Sequence, residues 1–251
     1  MTDVASYRDL TPEQITTLVQ QGCSCADWSH VRVVPGFQVD RVHNAHFLGQ
    51  VLLGRNSGSV TTAAGEEKPC GIYQAALSNC TVGDDVRIAG VGIQISNYDI
   101  GDAVQIENVG RIETHRGASF GNGIEIEAVN EAGGREVILF NRLDSQFAHL
   151  LCLHRYRPKL IERLQAIAQQ EAARARSDRG AIGAGVTISN VKMLIDFWIG
   201  DHAIIDSASA LVNGTILSNR EAPTRIGVDV QARDFIVAEG AAVTGGALVS
   251  R

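Results

Sequence analysis

The sequence predicts an all-β solenoid, and three observations support this fold class. The first is a six-residue period, which fits neither the 3.6-residue repeat of a helix nor the two-residue alternation of a strand. The second is composition, since 45% of the residues are hydrophobic but only 5% are aromatic. The third is the presence of 26 glycines, which suit many tight turns. The period is carried by Val82, Ile88, Ile100, Ile106 and Ile112, and Gln94 interrupts it.

The period also predicts which residues are neighbours. Three hexads complete one triangular turn of chain, so Val82 and Ile100, which are 18 residues apart, are expected to lie side by side. One such turn is too small to contain a core of its own. Stacking lets the aliphatic residues of one turn cover those of the next.

A family resemblance accompanies this pattern. The hexads VGDDVR, IAGVGI, IGDAVQ and IENVGR resemble the hexapeptide-repeat left-handed β-helix of bacterial acyltransferases and of the C-terminal parts of sugar-nucleotide pyrophosphorylases. The segments YRDLTPEQI, QGCSCADWSHVRV, NYDIGDAVQIENVG and FGNGIEIEAVNEAGGREV look like the N-terminal region of a bacterial family of long hexapeptide-repeat proteins. The resemblance implies a left-handed parallel β-helix, a homo-oligomer such as a trimer, and further solenoid after this region. It brings no settled reaction with it.

An N-terminal helix is predicted where the chain reads Thr11-Pro12-Glu13-Gln14. Thr11 can cap the helix, Pro12 suits its first position, and Gln14 completes a capping box. Gly22 is the expected end. This helix is expected to cover the open first turn of the solenoid.

A helical hairpin is predicted to interrupt the repeat. Apolar residues from Leu143 to Leu151 share one helix face, and Pro158 ends that helix while opening another. The hexads resume at Ile182, and no closing element follows Leu248, so a partner subunit or additional chain is expected to cover the last turn. The predicted segments are 1–69 (helix and irregular β cap), 70–140 (first β-helix block), 141–180 (hairpin) and 181–251 (second block).

Charge narrows the classes of partner. The net charge of −6 argues against nucleic acid, which needs a basic surface. The segment from Arg142 to Gly180 contains eight basic and four acidic residues, so it carries +4 on an otherwise acidic chain. Two interpretations follow: a solvated helix face that leans on acidic parts of the chain, or an anion or phosphate site.

The cysteines and the absence of apolar spans predict a cytoplasmic protein. Five cysteines form an odd set without CxxC spacing, and no leader with the pattern of a signal peptide is present. No apolar run approaches the roughly 18 residues that a membrane-spanning helix needs. We therefore expect reduced thiols and no membrane association.

Two histidines are candidates for a catalytic base. In hexapeptide acyltransferases a histidine near a corner removes a proton from the acceptor hydroxyl or amine, in a cleft between subunits, and the resemblance implies such a role here. His115 is the first candidate, because it lies where the repeat slips. His202, in the hexad IGDHAI, is the second. An exposed structural histidine is the alternative for both.

The predicted substrate-binding residues lie close to His115 in sequence. The segment from Asn130 to Glu136 offers an amide, two carboxylates and a guanidinium beside paired glycines, which suits a small anionic ligand or a hydrogen-bonded staple for the hairpin. No zinc site or other metal site is predicted, since three converging histidines are lacking. The full set is Asn97, Tyr98, Asn122, Asn130, Glu131, Arg135 and Glu136.

Two functions remain open from the sequence. One is transfer of an acyl group from acyl-CoA to a sugar or nucleotide sugar, with acyl-CoA as the co-substrate and His115 as the base. The other is a non-catalytic scaffold or oligomerisation module associated with a sugar-nucleotide enzyme. No nucleotide-binding motif or nucleophile elbow appears in the sequence.

Overall fold

A computed structural model describes residues 7–62, 65–127 and 134–250. Most of its strands belong to one 19-stranded sheet, in which the pairing is parallel except between β1 and β3. Two small antiparallel pairs, β5 with β6 and β13 with β14, stand apart from it. Among the described residues, three α-helices complete the fold, together with two short 3-10 helices at Trp28–His30 and Val39–Arg41.

The helices and strands are numbered in chain order and have the following bounds. The helices are α1 (Pro12–Gln20), α2 (Ser145–Leu153) and α3 (Pro158–Arg174). The strands before α2 are β1 (Arg8–Asp9), β2 (Ser24–Cys25), β3 (Val31–Val33), β4 (Val42–Leu53), β5 (Ser59–Thr61), β6 (Glu67–Pro69), β7 (Gly71–Val82), β8 (Arg87–Val91), β9 (Ile95–Ser96), β10 (Tyr98–Ile100), β11 (Gln105–Val109), β12 (Arg111–Glu113), β13 (Glu125–Glu127) and β14 (Glu136–Ile138). Those after α3 are β15 (Gly180–Ile182), β16 (Thr187–Ser189), β17 (Met193–Ile199), β18 (Ile204–Asp206), β19 (Ala210–Ile216), β20 (Arg225–Ile226), β21 (Gln231–Val237), β22 (Ala242–Val243) and β23 (Leu248–Val249).

Aliphatic residues pair side by side across the parallel strands and form the main core. Val82 and Ile100 are direct partners, as the period predicts. Ile106 likewise lies between Ile88 and Ile188. These side chains are at most 3% exposed, so each is covered by its neighbours on adjacent strands. One continuous series of partners comprises Val82, Ile100, Ile182, Ile199, Ile216 and Val237.

The predicted fold class, an all-β solenoid in the form of a left-handed parallel β-helix, is wrong. The fold is a closed barrel of six all-parallel strands with many additional strands. The physical reason lies in what a six-residue period specifies. It fixes which residues are neighbours across parallel strands and which side chains face inward. A closed parallel sheet meets both requirements, and the period does not determine how the sheet closes.

The N-terminal helix is confirmed in its details. The Gln14 N–H donates to Thr11 Oγ1 at 3.3 Å, and the Thr11 N–H donates to Gln14 Oε1 at 3.0 Å, which completes the capping box. Gly22 follows the helix with φ of 79°. Leu18 is only 1% exposed and joins the main core, so the helix packs directly on the sheet.

Residues 115–179 form an insertion between β12 and β15. The insertion contains the β13–β14 hairpin and helices α2 and α3, and both helices begin close to where the sequence predicts them. Its small core is separate from the main one. An isolated bridge between Ala118 and Ser177 joins the outgoing and returning arms of the chain. The buried residues of this core are Val137, Leu151, Cys152 and Ile161.

Tyr98 lies in the core beside the end of the insertion. Its side chain is fully buried, and its hydroxyl donates to the Phe197 carbonyl oxygen and accepts from the Phe197 N–H, both at 3.2 Å. Burial raises the pKa of Tyr98, so the hydroxyl stays protonated. A Cβ on Gly180 would come within 2.4 Å of the Tyr98 ring, which explains the glycine there. Tyr98, which was predicted to bind substrate, thus lies inside the core with its hydroxyl bonded to the backbone of β17.

We expect Tyr98→Phe to destabilise the fold, because it removes two buried hydrogen bonds without changing the ring. The free energy of unfolding should fall by about 1–3 kcal/mol in chemical denaturation. Tyr73→Phe is the matched control, since the Tyr73 hydroxyl makes one partly buried bond of 3.3 Å to the Cys70 carbonyl oxygen. That variant should lose about 0.5 kcal/mol. Equal losses in the two variants would contradict the role given to Tyr98.

Candidate functional site

His115 lies where the chain leaves the sheet and enters the insertion. Its Nδ1 is 3.1 Å and 3.2 Å from the two carboxylate oxygens of Asp196, and its backbone N–H donates to Asp196 Oδ1 at 2.7 Å. The histidine side chain is 64% exposed, whereas that of Asp196 is 18% exposed. One carboxylate thus fixes both the backbone and the ring of a solvent-accessible histidine.

The position of Asp196 follows from a repeated turn of the sheet. Asp196 has a φ of 58°, in the left-handed region that Asn and Asp tolerate better than most side chains. Four further residues of the same kind lie beside it at this corner, where successive turns of the chain stack. Thr114 stands in the corresponding register position, because Glu113 pairs with Ile195. The other corner residues are Asn79 (φ 51°), Asn97 (59°), Asn213 (52°) and Asp234 (56°).

Asn97 holds both ends of the insertion. Its Nδ2 donates to the Thr114 carbonyl oxygen at 2.8 Å, and its own carbonyl oxygen accepts from the Gly180 N–H at 2.9 Å. Its Oδ1 accepts from Asn79 Nδ2 at 3.3 Å. Asn97 was predicted to bind substrate. The structure gives its amide a different set of partners, and these position the residue that precedes His115.

Asn122 supports the outgoing arm of the insertion. It is 2% exposed, and its Nδ2 donates to the carbonyl oxygens of Ser119 and Phe120 at 3.1 Å and 3.2 Å. Its Oδ1 accepts from the Asn141 N–H at 3.0 Å. Asn213 fixes the same arm by accepting from Gly121 N–H at 2.9 Å. The loop after His115 is therefore ordered by buried amides.

Arg135 and Glu136 lie elsewhere on the insertion. Glu136 Oε1 accepts from the Gly134 N–H at 2.6 Å, and this bond is the main reason that the pKa of Glu136 lies below its usual value. The Arg155 guanidinium donates to the Glu136 carbonyl oxygen at 3.0 Å, and Cys152 Sγ contacts the Arg135 carbonyl oxygen. These contacts join the β13–β14 hairpin to α2 and the turn after it, and they use the backbone of Arg135 and Glu136 rather than their charged side chains. Asn130 and Glu131, predicted to share this loop, lie outside the described residues.

His202 occupies a different corner from His115. It adopts a φ of 58° just before β18, and a Cβ on Gly185 would lie 2.5 Å from its Nδ1. Within residues 7–62, 65–127 and 134–250, no carboxylate pairs with its ring. The structure therefore does not bring the two candidate bases together, and it gives only His115 an orienting partner.

Sequence reasoning missed Asp196 and Asp178. Asp178 Oδ1 accepts from the Gly117 N–H at 2.7 Å, and Asp178 lies 3.8 Å from the Arg116 guanidinium. One signal was available for Asp196: it is an acid inside the otherwise apolar run LIDFWI. Its partner was not readable, because His115 lies 81 residues earlier.

The described parts of the chain contain neither a cluster of metal-ligating side chains nor a membrane-spanning helix. Among them, no three or more His, Cys, Asp or Glu side chains are grouped so that they could hold a metal ion. None of the helices there combines the length and apolar character needed to cross a membrane. The five cysteines are free thiols.

The fold and the site define a closed parallel β-sheet protein with a histidine–carboxylate pair at the base of an insertion. The chain belongs to the family described as Domain of unknown function (DUF4954), whose model matches residues 7–251. An "Uncharacterized protein" of Treponema pallidum (strain Nichols) is 28% identical over 249 residues. That match covers 95% of this chain and 34% of the relative, so the chain spans about a third of the relative's length.

We expect Asn97→Gly to loosen the start of the insertion, because glycine accepts the positive φ but lacks the amide that binds Thr114. Hydrogen exchange at the backbone amides of residues 114–117 should accelerate by about 2- to 10-fold, the equivalent of one hydrogen bond. Asn79→Gly is the control. Asn79 Oδ1 accepts from the Gln50 N–H at 3.2 Å, so faster exchange should centre on Gln50. Identical exchange patterns in the two variants would contradict the role of Asn97.

Proposed function

We propose that the chain transfers an acyl group from acyl-CoA to a hydroxyl group of a sugar or nucleotide sugar, with His115 as general base. The observation that carries the proposal is the contact between His115 Nδ1 and the Asp196 carboxylate. A carboxylate acceptor favours the tautomer with the proton on Nδ1 and leaves Nε2 as the basic nitrogen. Nε2 has no hydrogen bond within the described residues and is open to an incoming hydroxyl.

The chemistry follows from this tautomer. Nε2 removes the proton of the acceptor hydroxyl as its oxygen attacks the thioester carbonyl carbon. The bond between the carbonyl carbon and sulfur then breaks, and the proton on Nε2 passes to the departing thiolate. The Asp196 carboxylate stabilises the imidazolium that forms in between, and it keeps the ring aimed along one direction.

The choice of donor rests on different support from the choice of base. Acyl-CoA as co-substrate comes from the resemblance of the hexads to those of acyltransferases, and the left-handed β-helix implied by that resemblance is not the fold. The homo-oligomer, with a trimer as one form, likewise stays a prediction. The exposed position of His115 also suits the alternative of a non-catalytic module, since a surface histidine needs no reaction to explain it.

The test is turnover of acyl-CoA donors with sugar and nucleotide-sugar acceptors, followed as release of free CoA by chromatography. We expect His115→Gln to lower kcat by about 10²- to 10⁴-fold, because glutamine cannot accept the proton. Asp196→Asn should also lower kcat, since the amide no longer favours a proton on Nδ1. Melting temperatures should stay close to that of the unmodified chain.

His202→Gln is the matched control, because it removes a turn histidine that lacks a carboxylate partner. Its turnover should equal that of the unmodified chain. Unchanged turnover in His115→Gln would refute the general-base role. Absence of CoA release from the unmodified chain across all donor and acceptor pairs would refute acyl-CoA as donor and favour the non-catalytic module.

A further inference from the structure

A polar pocket of about 320 Å³ lies between the two arms of the insertion and the sheet beneath them. The outgoing arm contributes Asn122 and Asn141, and the returning arm contributes Arg174, Arg176 and Arg179. Trp198 of β17 lies in its floor. The volume is at the lower end of the range for small-molecule sites.

Only one of the three arginines has a charge left uncompensated. Arg179 makes a two-nitrogen contact with the Asp99 carboxylate at 2.6–3.2 Å and also donates to the Asn79 carbonyl oxygen at 2.8 Å. Arg174 pairs with Glu171. Arg176 has no hydrogen bond or ion pair from its guanidinium to any described residue, and it is exposed beside the pocket.

A free guanidinium at the edge of a pocket favours a particular anion. Its planar set of N–H donors matches two oxygens of a phosphate group or a carboxylate. Glu171 and Asp99 offset the charges of Arg174 and Arg179, and Asp99 itself lines the pocket, so the net positive charge there comes from Arg176. Arg176 therefore supplies the anion-binding element of the pocket.

Asn141 supplies a second unpartnered group. Its Oδ1 is buried and has no hydrogen-bond partner within the described part of the chain, while its backbone N–H is used by Asn122 Oδ1. A buried acceptor without a donor is unfavourable until a donor arrives. Asn141 lines the pocket, so a small rotation of its side chain would let a ligand hydroxyl supply that donor. The pocket therefore favours a molecule that carries hydroxyl groups as well as an anion.

Trp198 supplies an apolar face. Its side chain is 37% exposed, although it stands on a strand between Ala181 and Thr215 as parallel partners. An indole in this setting offers a flat surface to the C–H face of a ring. The combination of a cation, a hydroxyl acceptor and an aromatic plane is the chemistry that recognises a sugar bearing a phosphate group.

We propose that this pocket binds a phosphorylated sugar, with Arg176 at the phosphate, Asn141 at a sugar hydroxyl and Trp198 against the ring. The sugar is either a free hexose phosphate or the ribose phosphate of a nucleotide, which share these groups. The inference names the acceptor class of the proposed transfer, but its residues do not include His115. Binding of the sugar phosphate at this pocket can therefore be tested independently of catalysis by His115.

The experiment measures binding by calorimetry on the unmodified chain and by tryptophan fluorescence on the Trp28→Phe variant. The chain has two tryptophans, so that variant reports on Trp198 alone. The probes are glucose 6-phosphate, uridine monophosphate, glucose and inorganic phosphate. We expect glucose 6-phosphate or uridine monophosphate to bind with a change in Trp198 fluorescence, and glucose and inorganic phosphate to bind at least tenfold more weakly.

Arg176→Gln should weaken binding of the phosphorylated probe at least tenfold, and Asn141→Ala should weaken it several-fold. Arg163→Gln is the matched control, because Arg163 lies exposed on the same arm, in α3, and outside the pocket. It should bind as the unmodified chain does. His202→Gln, which alters neither the proposed base nor the pocket, should also retain full affinity. Because calorimetry needs no turnover, binding by a chain that releases no CoA separates failure of the transfer from failure of this site.

Three results would overturn the assignment. The first is the absence of binding by both phosphorylated probes. The second is equal affinity of Arg176→Gln and Arg163→Gln. The third is binding of inorganic phosphate as tightly as of the phosphorylated sugars, which would remove the sugar from the assignment. Tighter binding of glucose 6-phosphate would indicate a free hexose phosphate as the ligand, and tighter binding of uridine monophosphate would indicate a nucleotide.

Discussion

Side-by-side packing of aliphatic residues across parallel strands is the constraint on which the rest of this structure depends. Ile100 shows it most directly, since it lies between Val82 on one side and Ile182 on the other. Between Ile100 and Ile182 the chain leaves the sheet and returns in register. If β10 and β15 did not pair, the apolar side chains of both strands would be exposed to water. The first and last residues of the insertion must therefore lie close together. The bridge between Ala118 and Ser177 and the two contacts of Asn97 meet that requirement.

The same constraint explains what could be predicted from sequence. The start of α1 depends on four consecutive residues, and the capping box of Thr11 and Gln14 was readable for that reason. The neighbour relation of Val82 and Ile100 was readable from the period alone. Closure of the sheet was not, because it depends on the path of the whole chain. The same repeat of inward aliphatic residues is compatible with more than one closed arrangement of parallel strands.

Tyr98 shows the limit of local reasoning, because its burial was not readable from its polar neighbours Asn97 and Asp99. In the structure Asn97 is a one-residue turn, after which Tyr98 points inward and Asp99 points outward. His115 and Asp196 show the complementary case. Each was visible as a residue type, but their contact depends on the register that β17 adopts after the insertion. Arg176 was counted only as part of a basic segment, and its free guanidinium emerges once the partners of Arg174 and Arg179 are known.

The one-residue turns at the corner of the sheet have a consequence for how this chain can change over evolutionary time. At this corner Asn97 alone links β9 to β10, and Asn79, Asp196 and Asn213 are single residues of positive φ inside β7, β17 and β19, whereas after Thr114 the chain continues through the whole of residues 115–179. Segments of very different length therefore occupy equivalent places without disturbing the pairing around them. The insertion has a small core of its own, so residues away from its contacts with the sheet can change without altering the main core. Residues of the insertion can therefore be substituted during evolution while the buried residues of the sheet, which keep the chain folded, remain the same.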